Sequence, residues 1–311
     1  MAILVTGAGG LVGRAAVAAL LRQGVEHVRA VVRDPGQVGP LRRLGAKVAV
    51  LDATDPDGMR AALEGVFTAC SLTGGLWTRP GEDPYASVVD PARVLLEGAR
   101  AAGVRRVVVC SPAAVGSPGA AEANPHLAAK AEVERMVTGS GLEHAILRCT
   151  HVLGPGGRLV ALLGGAAPVP VPGDGRQPVA PVWVGDVAAA IAAADDAVEL
   201  AATWAVAGPD EVTFDALVDA VNGGPVAKRH LHDTTGTGGD AAGGADRTRG
   251  DAAAGADGSL GGLTPAQLEV LAAGSLPDPG LPVPPGLVPT RLAGAVARSA
   301  GPVRPGVAGP A

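Results

Sequence analysis

The sequence predicts an α/β fold, a doubly wound parallel sheet followed by a small second lobe and a low-complexity tail. Three observations carry this. The chain opens with an apolar run, Ile3-Leu4-Val5, that enters a glycine-rich turn, Thr6-Gly7-Ala8-Gly9-Gly10-Leu11-Val12-Gly13, and then a helix-forming run from Arg14 to Gln23. Short, β-branched apolar runs then alternate with helical ones as far as residue 150. Strands buried on both faces read as continuous apolar runs, and such alternation demands a parallel sheet with right-handed crossovers. Third, 47% of residues are hydrophobic but only 2% aromatic, so aliphatic side chains must fill a sizeable core.

Each element has a local reason. The first helix runs over residues 11–23 and stops at Gly24, a natural C-terminal cap. Strands are expected over 28–33, 47–52, 66–73, 104–111 and 144–150. The intervening helices fall at 37–44, ended by Gly45, at 55–63, capped by Thr54-Asp55-Pro56-Asp57, and at 86–102 and 126–138. The predicted strand order is 3-2-1-4-5-6, with a ligand crevice at the carboxyl ends where the order reverses. Residues 1–155 make up this domain. Short strands at 169–171, 179–183 and 203–207 and helices at 185–194 and 214–221 read as a substrate-side lobe, residues 156–232. Residues 233–311 are rich in Gly and Pro, with helical pieces at 265–273 and 290–300. They offer too little apolar area to offset the entropy of ordering, so most of this tail is expected to be loose.

Composition excludes several classes. The 311 residues carry a net charge of −5 with no basic face, which argues against nucleic acid. No uncharged apolar run reaches the roughly 18 residues that span a bilayer. The chain begins directly in a strand, without a charged n-region and cleavage site, so a cytoplasmic protein with a small-molecule substrate is expected. The tail offers a docking segment for a protein partner or a second copy of the chain. Cys70, Cys110 and Cys149 form no C-x-x-C pair and are odd in number, so they read as small buried apolar side chains. His230-Leu231-His232-Asp233 has no further ligands spaced for a metal, and none is expected.

The chemistry begins at the glycine turn. Gly7 allows a tight turn, Gly10 lets the backbone approach a pyrophosphate, and Gly13 lets the helix pack on the strand. Leu11 and Val12 open a helix whose free N–H groups face the phosphates. Arg33 ends the second strand twenty residues after Gly13, where an adenosine ribose is read. A guanidinium there offers a charge-assisted fork to a 2′-phosphate, which favours NADP(H) over NAD(H). Asp34 reads as a turn residue before Pro35. The small residues of Leu72-Thr73-Gly74-Gly75 let the backbone lie against the ribose on the nicotinamide side.

The spacing Gly-x-x-Gly-x-x-Gly after Thr6 resembles that of the extended and atypical short-chain dehydrogenase/reductase superfamily, in particular its NmrA-like branch. Leu147-Arg148-Cys149-Thr150-His151-Val152-Leu153-Gly154-Pro155-Gly156 resembles the family's sixth strand and the loop bordering nicotinamide and substrate. Pro181-Val182-Trp183-Val184-Gly185-Asp186-Val187-Ala188 resembles a later helix start, with Asp186 as its cap. The resemblance covers about residues 1–222. It implies a Rossmann-type fold and places Asp52, followed by Ala53, at the adenine.

Active members pair a Ser or Thr with Tyr-x-x-x-Lys. Here the helix reads His126-Leu127-Ala128-Ala129-Lys130, and the chain's one tyrosine, Tyr85, begins no such motif. The fifth strand ends Cys110-Ser111-Pro112, so the family's serine position falls on Pro112 with Ser111 one residue early. Histidine titrates near 6.5 against about 10 for tyrosine, and a neighbouring Lys⁺ keeps it neutral. A neutral imidazole still donates one N–H. The resemblance therefore implies an NADPH-dependent reductase, passing hydride to a small apolar carbonyl, quinone or enone. Lys130 would hold the nicotinamide ribose, and His126 and Ser111 would polarise the acceptor. A non-catalytic NADP(H) sensor is the second reading. Nucleotide-sugar epimerase or dehydratase chemistry, which leans on the tyrosine, is the third. Tyr85, Trp77 and Trp183 are expected to line the substrate pocket, and Trp204 to lie in the core.

Overall fold

The structure is a computed structural model and describes residues 1–75, 83–165, 167–198, 200–231 and 264–300. β1 (Ala2–Thr6) is buried throughout and feeds α1 (Leu11–Arg22). There follow β2 (His27–Val32), α2 (Val38–Leu44), β3 (Lys47–Val50), α3 (Pro56–Leu63), β4 (Val66–Ser71), α4 (Asp90–Ala101), β5 (Arg106–Pro112), the single turn α5 (Ala120–Ala123), α6 (Pro125–Thr138) and β6 (Glu143–Cys149). The short elements after them are β7 (Val152–Leu153), α7 (Arg158–Leu163), β8 (Val169–Pro172), β9 (Pro178–Val179) and β10 (Val182–Trp183). The chain goes on through α8 (Val184–Asp196), β11 (Ala201–Val206), β12 (Val212–Thr213), α9 (Phe214–Val221), β13 (Lys228–Leu231), α10 (Pro265–Ala272) and α11 (Leu292–Ser299).

Local chemistry sets the ends of these helices. Gly45 closes α2 at φ 105°, a conformation that costs other residues more. The Asp55 carboxylate accepts from the Asp57 N–H and starts α3. Asp34 takes the turn role read from the sequence, accepting from the Gly36 N–H.

The main sheet is parallel, in the order β3-β2-β1-β4-β5-β6-β11. Six strands stand in the order predicted. One face is covered by α1, α2 and α8, through residues such as Val17, Leu20, Leu41, Val187 and Ile191. The other is covered by α3, α4 and α6, through Leu63, Leu95, Leu96, Val133 and Val137.

Three features differ from the sequence reading. First, β11 and α8 belong to the main sheet, not to the small lobe. β11 pairs with β6 from Ala201↔His144 to Val206↔Cys149, and α8 lies beside α1. The physical reason is the edge: β6 would otherwise present unpaired N–H and C=O groups. The change of composition near residue 155 therefore marks an excursion of the chain, not a domain boundary. Arg106 locks this return. Its buried guanidinium donates to the carbonyls of Ala194 at 2.8 Å and Ala197 at 2.7 Å, to that of Asp195, and to Glu143 Oε2 at 2.7 Å. Second, residues 264–300 of the tail are packed. Leu268, Leu271 and Ala295 join Leu153, Leu163, Val169 and Phe214 in the core of the small lobe. That lobe leaves apolar surface which α10 and α11 cover. The rest of the tail, 232–263 and 301–311, lies outside the described residues. Third, Asp186 is not the cap of α8. The cap is Trp183; Asp186 sits three residues further in and accepts from the Thr290 N–H at 2.7 Å and hydroxyl at 2.9 Å.

Among the described residues, no helix is long and apolar enough to cross a membrane. Cys70 and Cys149 are buried and Cys110 is half-buried, all three as free thiols.

Candidate functional site

A groove of about 940 Å³ runs along the carboxyl ends of β1 to β4. That is within the range of small-molecule and cofactor sites, about 300–1,000 Å³. The turn after β1 forms its floor. Gly7 adopts φ 63°, and a Cβ there would lie 2.5 Å from the Leu72 carbonyl oxygen. A Cβ on Gly13 would lie 2.2 Å from the Gly7 oxygen and 2.6 Å from Ala8 Cα. Both positions exclude any other residue, and Gly13 brings α1 onto the strand as the spacing predicts. Gly10 lines the groove. Leu11 and Val12 sit half-buried in the first turn of α1. Leu11 lies against Gly154 and Gly157, so the loop after β7 borders the turn.

Arg33 is exposed on the groove wall beside Asp34. Asp52, Ala53, Leu72, Thr73 and Gly74 line the same groove. Asp52 accepts from the Thr54 N–H at 2.9 Å and hydroxyl at 2.7 Å. Those hydrogen bonds, aided by Arg33, hold its carboxyl below the ordinary carboxylate value. Sequence reasoning passed over Gly9 and Gln37, whose carboxamide lies on Gly9. It also passed over Ser87, Asp90 and Arg93, which line the groove from the α4 side. The position of that helix start, directly after the loop from β4, was the signal available.

The other candidates lie next to the groove. Lys130 is buried on α6, and its Nζ donates to the Thr73 carbonyl at 3.3 Å. Burial pushes its pKa down to about 8, with Cys110, Glu134 and Cys149 opposing the shift. His126 is 1% exposed, and neither ring nitrogen has a partner. Burial, then the nearby Lys130, pushes its pKa down to about 4. Ser111 Oγ is also buried and unpartnered. Val107 and Val109 pack against Ala129 and Val133 of α6, and alternation puts Ser111 on that face. Ser111, His126 and Lys130 thus share the seam between β5 and α6, at the Thr73 end of the groove. Native structures rarely leave buried polar atoms unpaired, and those that do require an explanation.

His151, between β6 and β7, is a further residue of this kind. Its Nε2 is buried without a partner, its ring meets Phe214 edge-on at 6.1 Å, and burial pushes its pKa down to about 4. It stood within the run 147–156 that resembles the family's substrate-bordering loop.

Tyr85 and Trp183 are not among the residues that line this groove. Tyr85 is 46% exposed at the start of a π-helical turn, Tyr85–Val89, whose Ala86 and Ser87 face the groove in its place. Trp183 packs on the core of the small lobe, with the Arg298 guanidinium 5.9 Å from its ring. Trp77 lies outside the described residues, and Trp204 is in the main core. His230 pairs with Asp215 at 2.9 Å, while His232 and Asp233 lie outside the described residues.

A parallel sheet with a glycine turn at its first strand and a groove across the carboxyl ends defines a nucleotide-binding protein of the Rossmann type. Residues 7–193 match the sequence model of a family described as NAD(P)H-binding, and the chain belongs to that family. A 3-diazoavenalumate denitrifying reductase from Streptomyces sp is 31% identical over 208 residues, which are 56% of this chain and 66% of that protein. Sterol demethylase protein B from Methylococcus capsulatus is 40% identical over 110 residues, 35% of this chain and 33% of that protein. The chain thus spans less than two thirds of either relative's length. Among solved structures, MoeE5 in complex with UDP-glucuronic acid and NAD superposes with a TM-score of 0.65 at 22% identity, covering 96% of this chain and 97% of that one. That likeness is one of fold.

Proposed function

We propose that this protein is an NADPH-dependent reductase that passes hydride to a small, largely apolar carbonyl, quinone or enone. The observation that carries the reading is the buried seam beside the groove. It holds one ammonium, a neutral imidazole and a hydroxyl, two of them without partners. The glycine turn fits a dinucleotide, because the backbone beside Gly7 and Gly13 leaves no room for a side chain. In this reading Gly7, Gly10 and Gly13, with the first turn at Leu11 and Val12, seat the pyrophosphate. Arg33 takes the 2′-phosphate. Asp52 and Ala53 meet the adenine, and Leu72, Thr73 and Gly74 lie against the second ribose. Bound nicotinamide would supply the hydride.

Lys130 turns from Thr73 to hold that ribose. With a pKa near 8 it is also the group in the seam able to release a proton near neutral pH. His126, neutral at pH 7, donates one N–H to the acceptor oxygen and orients it, together with Ser111. The missing tyrosine disfavours sugar epimerisation. The reductase and demethylase names of the two relatives agree with an oxidoreductase, and the substrate in the first name stays with that protein. A second reading, an NADP(H) sensor without turnover, is favoured by Pro112 at the family's serine position.

Two outcomes test the reading. NADPH raises the melting point far more than NADH at equal concentration, as a ligand of the folded state must. Arg33→Ala weakens NADPH by about ten- to a hundredfold, the loss of one charge-assisted contact, and leaves NADH unchanged. Equal stabilisation by both cofactors in the wild type sinks the selectivity. Offered a panel of quinones, enones and aldehydes, the wild type oxidises NADPH, and Lys130→Ala lowers that rate by about a hundredfold. Binding without oxidation of NADPH on every acceptor moves the protein to the sensor reading.

A further inference from the structure

Asn124 stands where the small lobe grips the reactive helix. It is 5% exposed and is the N-terminal cap of α6. Its side-chain oxygen accepts from the N–H groups of His126 at 3.1 Å and Leu127 at 3.2 Å. Its side-chain nitrogen donates to the Ala266 carbonyl at 2.8 Å and to Glu269 Oε2 at 3.1 Å, both on α10. The cap alone does not require asparagine, since Asp and Ser cap about as well. Neither of them supplies two N–H donors while the oxygen is in use. The carboxamide is explained by the second task.

α10 is itself held. Leu268 and Leu271 are in the small-lobe core, and Gln177 Nε2 donates to the Leu271 carbonyl at 3.4 Å. The segment after α10 runs back over the main sheet. There the Ala205 N–H donates to the Pro282 carbonyl at 2.9 Å, and Thr290 is held on Asp186. Residues 264–300 are therefore a strap across both layers, and Asn124 joins it to the turn that carries His126, one turn above Lys130.

We propose that Asn124 is a positioning residue: through α10 it sets the place of His126 and Lys130 against the Thr73 end of the groove, so the strap determines how the nicotinamide end of the cofactor is held. The proposal rests on the reductase reading for its ligand, but not for its structural core. Asn124→Asp separates the two tasks. The aspartate keeps the cap, loses both donated bonds and sets a carboxylate against Glu269. The double variant Asn124→Asp with Glu269→Gln lets the glutamine donate instead and restores the bond to residue 269, while the bond to the Ala266 carbonyl stays lost.

The ligands are NADPH and 2′,5′-ADP, which reaches only the adenosine half. Asn124→Asp is expected to weaken NADPH about tenfold and leave 2′,5′-ADP unchanged, with NADPH affinity recovered in large part in the double variant. Amide hydrogen exchange without ligand is expected to speed up over 125–130 and 265–272 in Asn124→Asp and to slow again in the double variant. Equal weakening of both ligands, unchanged NADPH affinity, or unchanged exchange over 265–272 overturns the proposal. A wild type that binds neither ligand removes the reductase reading, and the exchange measurement then decides the strap alone.

Discussion

Acidification from pH 6.5 towards pH 4 strips this protein of a large part of its stability, and replacing His126 and His151 removes that sensitivity. Both imidazoles are buried with unpartnered nitrogens, and both titrate near 4 in the fold, down from 6.5. For His126 the larger cause is burial and the smaller is Lys130; for His151 it is burial. As pH falls through 6.5 the unfolded chain takes up these two protons, while the folded chain resists until about 4. Stability is therefore full above pH 6.5 and is lost between 6.5 and 4, by about 3 kcal/mol for each ring. Two such losses, about 6 kcal/mol together, reach the lower end of a domain's whole stability, about 5–15 kcal/mol. The carboxylates whose pKa is lowered, Asp52, Glu143 and Asp219, act only further into acid. Urea denaturation across this range checks it, on the wild type and on His126→Phe with His151→Phe. A wild-type midpoint that does not move between about pH 7 and pH 4.5 refutes the account.

Arg106→Met is expected to cost about 3–5 kcal/mol, although the position lies at the amino end of β5, away from the groove. The guanidinium is 1% exposed and satisfies the carbonyls at the end of α8 together with Glu143. Methionine fills the volume but leaves those carbonyls without their donor and Glu143 with Arg105 alone. Arg105 is the control. It also bonds Glu143, at 2.6 Å, but its side chain is 46% exposed, so Arg105→Met costs under about 1 kcal/mol. Equal losses for the two variants would remove the burial argument. The effect is expected to extend towards the groove, because α8 packs on α1, which the glycine turn leads into.

Much of this was legible in the residues. The turn 7–13, the alternation of strand and helix, and the order of six strands follow from local pattern and the handedness of crossovers. The groove residues Gly7, Arg33, Asp52, Leu72 and Thr73 were readable for the same reason. In a parallel sheet, residues that end successive strands arrive at one edge, however far apart they are in the chain. The pairing of Lys130 with His126 was readable as one helical turn. The role of Asn124 was half readable: a cap before Pro125 is local chemistry, but its second pair of bonds is not. Ser111 could be named, while its orphaned hydroxyl depends on what faces β5. Whether Tyr85 and Trp183 face the groove was not readable, because a side chain's neighbours, not its loop, decide that.

Periodicity, turn residues and capping chemistry thus specify the elements, the parallel sheet and the phosphate turn, since each acts over a few residues. The partner of the β6 edge, the closure of α8 by Arg106, the hold of Thr290 on Asp186 and the strap on Asn124 were decided only when the chain folded. Those bonds join residues 88, 104 and 142 positions apart. The free energy that selects them comes from burying apolar surface and from pairing carbonyls that would otherwise be buried without a donor, contacts that exist only once distant segments meet.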